Sequence, residues 1–169
     1  MRHVKLSVVA LLLLTCAAGA VVPAPANAEN FTNVPAQIQF DAPDDWKSET
    51  EDGYMVVGPK DEALALVFMV LESTELDAAS KELDKALADD FKEITPDGEG
   101  EEMTLNGMSG FGIDAKAISK KSGKPVELGV LLLKTTSGKI LMVLGVADAG
   151  KLDAYQSKVT ALVQTIRPM

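Results

Sequence analysis

Histidine and cysteine are nearly missing from this chain. Its 169 residues hold one of each, His3 and Cys16, and both lie in the first 28 positions. With no histidine beyond that point, neither a Ser-His-Asp nor a Cys-His relay can be built. Zinc, haem and iron–sulfur ligand sets are excluded for the same reason. No disulfide can form within the body of the chain, so its core must hold it. Neither G-x-x-x-x-G-K-[ST] nor G-x-G-x-x-G occurs, which removes phosphate-cradling loops. Aromatics are scarce: five Phe, two Tyr and one Trp. The remaining options are carboxylate chemistry, lysine chemistry or none, and no cofactor is expected.

The first 28 residues read "MRHVKLSVVALLLLTCAAGAVVPAPANA". Arg2 and Lys5 precede an apolar run from about Leu6 to Leu14. Small residues come next and end on Ala26-Asn27-Ala28. This is the layout of an export signal with an A-x-A cleavage site. Its apolar core is well short of the roughly 20 residues of a membrane-spanning helix, and Pro23 and Pro25 prevent its extension as a helix. The expected product begins near Glu29 and is periplasmic or secreted, with no transmembrane segment. Lipidation at Cys16 is the rival, but Thr15 stands where a lipobox has Gly, Ala or Ser.

Cleavage there would leave 141 residues, with 14 basic against 25 acidic and a net charge of −11. A domain near that size buries roughly 68–70% of its unfolded surface and needs no staple. The acidity repels phosphates, so no nucleic-acid partner is expected. The partner is then a protein or a small ligand of unknown identity; oligomeric state is left open.

Residues 29–36 read as a short polar lead-in, and 37–169 as a single domain. Asp52-Gly53, Asp97-Gly98, Asn106-Gly107, Ser122-Gly123 and Ser137-Gly138 supply the positive φ that tight turns need. Between them lie strand-like runs at 37–42, 54–59, 63–71, 101–105, 108–119, 125–136 and 139–147. The last four are separated only by turns and must form an antiparallel meander. Two segments follow the helical period instead. In one, Leu76, Ala79, Leu83, Leu87, Phe91 and Ile94 recur on one face, with Ser73 or Thr74 as cap. In the other, Leu152, Tyr155, Val159, Leu162, Val163 and Ile166 recur, with Asp148 as cap.

Two strands are apolar on both faces. Val126, Leu128, Val130 and Leu132 alternate with Leu131 and Leu133; Ile140, Met142, Leu144 and Val146 alternate with Leu141 and Val143. Such strands must be covered on both sides. Lys134, Gly129 and Gly145 interrupt the second face, so its cover is expected to be partial. The expected fold is α+β. An antiparallel sheet of about six or seven strands lies between two helices, an α/β/α sandwich in the order β-β-β-α-β-β-β-β-α. Met55, Met69 and Met142 fall in apolar strands and are assigned to the core.

The stretch "FDAPDDWK", Phe40 to Lys47, packs Asp41, Asp44 and Asp45 around Pro43 and the single tryptophan, Trp46. Together with the hairpin and apolar strand after it, this stretch resembles the start of the Mog1/PsbP-like superfamily, which has exported bacterial members of unknown function. The order of elements matches over most of the chain after the signal. The resemblance implies an antiparallel sheet between helices. It implies no function, because that superfamily includes a photosystem II extrinsic protein and a Ran-binding nuclear protein. An export signal argues against the nuclear role.

On that reading the three aspartates are turn and strand-end residues, and Trp46 plugs the core edge, against the first helix or the sheet edge. A calcium site with Glu49, Glu51 or Asp52 is the functional alternative, although the spacing is not that of an EF-hand loop. A carboxylate pair for glycoside hydrolysis is a further one. "DGEGEEM", Asp97 to Met103, reads as a solvated loop or a cation site. Lys116, Lys120, Lys121 and Lys124 surround one hairpin tip. They guard a strand edge or form a contact surface for an acidic partner or anionic head group. The leading function is a non-enzymatic, exported binding or accessory module. The runner-up is a carboxylate-dependent hydrolase or a calcium-binding protein.

Overall fold

The computed structural model describes residues 28–51 and 53–169. Residues 1–27, which hold most of the expected export signal and Cys16, and Asp52 lie outside the described residues. The elements are β1 (Ala28–Asn33), β2 (Ile38–Pro43), β3 (Trp46–Glu51), β4 (Tyr54–Pro59), β5 (Leu64–Leu71), α1 (Leu76–Asp90), β6 (Phe91–Pro96), β7 (Glu101–Leu105), β8 (Met108–Ser119), β9 (Pro125–Lys134), β10 (Ile140–Asp148), α2 (Leu152–Thr165) and β11 (Arg167–Pro168). The fold is α+β, and its main sheet is antiparallel with eight strands. Their order is β3-β4-β5-β10-β9-β8-β6, and β7 also pairs with β8. The expected meander is present: β7, β8, β9 and β10 are successive neighbours.

β9 and β10 are buried on both faces, as their composition demands. Val126, Leu128, Val130, Leu132, Ile140 and Met142 share one core with Ala79, Leu83 and Leu87 of α1. Leu131, Leu133, Leu141 and Val143 share the other with Val159, Leu162 and Val163 of α2. Phe40 and Phe68 stack at 4.2 Å in this second core.

The second core has an extra wall that the element pattern does not announce. β1, β2 and β11 form a separate three-stranded sheet. β1 pairs along β2, with Phe31 opposite Phe40, and α2 leans on β2. Residues 29–36, read as a lead-in, thus contribute a strand through 33.

The first helix is shorter than its periodicity suggests. It stops at Asp90, and Phe91 and Ile94 continue as β6. β7 covers β8 only from Met108 to Gly112. The rest of that edge would carry unpaired amides, and β6 satisfies it from Ala115 to Ser119 through a bulge between Lys92 and Thr95. Neither helix uses the expected cap. Glu75 precedes α1 and Lys151 precedes α2, and neither side chain caps its helix. The Ser73 hydroxyl instead donates to Glu82 Oε2 at 2.7 Å, and the Asp148 carbonyl accepts from the Lys151 N–H at 2.9 Å. Among the described residues no helix is long and apolar enough to cross a membrane.

Candidate functional site

The three aspartates of "FDAPDDWK" go separate ways. Asp41 points along β2, where Oδ1 accepts from Asn30 Nδ2 at 2.7 Å and Oδ2 from Arg167 Nη1 at 3.1 Å. Burial works to raise its pKa, but these two hydrogen bonds and the Arg167 charge bring it below the usual carboxylate value. Asp45 pairs with Lys158 of α2 at 2.6 Å, and that hydrogen bond lowers its pKa. Asp44 is exposed in the turn. Glu51 accepts a hydrogen bond from Tyr54 instead of turning toward the aspartates. Among the described residues no three acidic side chains gather as a metal site. Trp46 begins the edge strand β3 and is only 7% exposed. Its ring meets Tyr155 of α2 edge-on at 6.5 Å. The tryptophan thus sits at the sheet edge, as expected, but the covering helix is the second, not the first, because β3 faces the α2 side with this side chain.

The four lysines also divide. Lys120 reaches across to the end of α1: its Nζ donates to the Ala88 carbonyl at 2.6 Å and its N–H to the Asp90 carbonyl at 2.9 Å. It therefore supplies the cation that the last turn of α1 lacks. Lys121 and Lys124 are exposed at the tip. Lys116 lies further down β8, opposite Glu127 in register. The acidic stretch from Asp97 is a loop only through Gly100 and enters β7 at Glu101; Gly100 packs on Phe111, where a Cβ would come within 2.3 Å of the ring.

An apolar cleft lies between α2 and the main sheet. Its roof is Leu152, Val159 and Val163, and Leu64, Leu66, Val143 and Ala147 contribute to its floor. The cleft holds about 650 Å³ of empty space, open solvent at the mouth included. Only about 60 Å³ of it is wide enough for the centre of a water molecule.

Three glycines make the room. Gly129 stands opposite Gly145 on β10 and opposite Asp114 on β8, and Gly112 lies two residues before Asp114 on the same face. A Cβ on Gly145 would sit 3.3 Å from a Leu66 methyl, and one on Gly129 would sit 3.3 Å from Asp114 Oδ1. The two acids of the lining are Asp114 and Glu127. Asp114 is 6% exposed, and Glu127 is half-buried on the mouth side. Gly129 and Gly145 are legible in the sequence as breaks in an apolar face. Asp114 has no place among the sequence-based candidates, although it follows Gly110 and Gly112 at every second residue of β8.

No family model and no curated protein matches the chain by sequence. Solved structures do match, and they show a Mog1/PsbP-like fold. The solution structure of cyanobacterial PsbP (CyanoP) from Synechocystis superposes with a TM-score of 0.61 at 13% identity, covering 90% of this chain and 97% of that one. LpqN of Mycobacterium tuberculosis, described as involved in cell envelope biogenesis, gives 0.53 at 17% identity over 84% and 92%. The Saccharomyces cerevisiae Ran-binding protein Mog1p gives 0.50 at 15% over 82% and 87%.

Proposed function

We propose that this Mog1/PsbP-like chain is an exported, non-enzymatic binding module whose ligand seat is the cleft under α2. One observation carries the reading: a near-fully buried carboxylate, Asp114, faces a glycine-floored apolar cleft. Burying a carboxylate costs free energy that a well-packed apolar residue would not. Gly129 and Gly145 leave room beside this carboxylate, which supports a ligand seat there.

The chemistry available supports binding over turnover. Histidine and cysteine are confined to the first 28 residues, so proton transfer near neutral pH has no ordinary carrier. The export signal supports a periplasmic or secreted location. The involvement of LpqN in cell envelope biogenesis is compatible with such a place for this chain.

Native mass spectrometry tests the reading. The protein would be purified from the envelope or secreted fraction of its own source, and its retained small molecules weighed. The expected result is an intact bound species that disappears in Leu152→Phe, where the bulkier ring encroaches on the cleft from its roof. Equal retention by the variant would remove the cleft as the seat. Recovery of a cleaved product would instead favour the carboxylate-dependent hydrolase, with Asp114 and Glu127 as its acids.

A further inference from the structure

We propose that the occupant of the cleft is a slender aliphatic amine, its chain lying along the glycine floor and its ammonium head received by Asp114. This rests on the cleft being a ligand seat and adds the chemical class of the ligand.

Shape limits the body of the ligand. The space wide enough for a water-sized group is about 60 Å³. So small a space favours an unbranched alkyl chain over a bulkier ring. The walls that such a chain would touch are Leu64, Leu66, Val143, Leu152, Val159 and Val163. They offer dispersion contacts and no hydrogen bonds from their side chains, so most of the ligand must be hydrocarbon.

Charge fixes the head. Both ionisable side chains in the lining are carboxylates. Asp114 is the more buried of the two, which makes it the deeper seat. An ionised carboxylate has about four acceptor sites, so Asp114 can take an ammonium proton in addition to the contacts it makes within the chain. Attraction between opposite charges strengthens in such a low-dielectric place. A carboxylate head would bring a like charge to the same spot and is disfavoured. The net charge of −9 also draws cations toward the surface.

The test uses hexylammonium, hexanol and hexanoate as probes against isotope-labelled protein as its host processes it. Backbone amide shifts of Gly129, Gly145 and Val163 report the cleft. Hexylammonium is expected to shift them and to bind about tenfold or more tighter than either other probe, as one charge-assisted hydrogen bond implies. Asp114→Asn should bring hexylammonium down to the affinity of hexanol, and Gly145→Val should abolish all three. If Gly145→Val does not fold, Leu152→Phe in the roof serves in its place.

Comparable binding of hexanol or hexanoate at the same amides would overturn the amine head while leaving the cleft as a binding site. Absence of shifts at those amides with all three probes at millimolar concentration would overturn this inference. The cleft itself would then stand or fall on the retained species seen by native mass spectrometry.

Discussion

Asp41 Oδ2 and Arg167 Nη1 meet at 3.1 Å and join β2 to the last strand of the chain, 126 residues away. The same junction is closed a second time, because the Asp41 N–H donates to Thr165 Oγ1 at 2.8 Å. Together these bonds anchor the three-stranded sheet to the end of α2, and so hold the roof of the cleft.

Replacing Asp41 by Asn should cost about 1 kcal/mol, since the pair is charge-assisted but partly open to water. The carboxyl has a folded pKa below its ordinary 3.8. Its contribution is therefore present above that value and is lost as the pH falls through the folded pKa. Urea unfolding between pH 6 and 3, wild type against variant, reads this: the gap between the two should close only at the acid end. A gap that stayed constant across the range would assign the loss to packing.

Trp46→Ala should be far more damaging, about 3–5 kcal/mol from lost transfer energy and a cavity. The native indole should fluoresce at short wavelength, resist iodide and shift red on unfolding. Among the described residues its Nε1 has no hydrogen-bond partner. Trp46→Phe therefore removes no bond seen here and should cost well under half as much. Solvent quenching of the native indole would contradict its place against Tyr155. The Asp44/Asp45 pair changed to Asn should leave stability nearly intact.

Asn106 does two jobs in one turn. It sits at φ +47, before Gly107 at φ +83, and its Nδ2 donates to the Gln164 and Ile166 carbonyls at 2.9 and 2.7 Å. Asn106→Gly keeps the turn and loses the bonds; Asn106→Ala loses both. Thermal unfolding should rank them wild type, Gly, Ala, with about 1 kcal/mol at each step. Reversal of the two variants would mean that turn geometry contributes little.

Lys120→Ala should weaken α1 at its end, by about 0.5–1 kcal/mol. Hydrogen exchange at residues 87–90 would quicken, while Lys121→Ala and Lys124→Ala would leave it unchanged. Those two belong to any contact surface at this tip. A pull-down that loses a partner with Lys121 and Lys124 changed, and keeps it with Lys120 changed, is the pattern a docking role requires.

The export expectation is checked by the mass of the secreted product, which should begin near Glu29. An intact Met1, or a lipid on Cys16, would overturn it.

Much of the architecture needed no tertiary information. Alternation in β9 and β10 demanded cover on two faces because each strand carries apolar side chains on both. Glycine turns such as Asn106-Gly107 and Ser137-Gly138 set the meander, since only short connections separate those strands. The near absence of histidine and cysteine excluded whole chemistries outright. Other features depended on neighbours far away in the chain. Phe91 and Ile94 keep helical phase, yet the unsatisfied edge of β8 makes them a strand. β1 and β11 are too polar or too short to declare themselves, and β2 recruits both. The cleft was hidden for the same reason. Gly129, Gly145 and Asp114 lie on three strands and become one floor only through hydrogen-bond register, which local sequence does not carry.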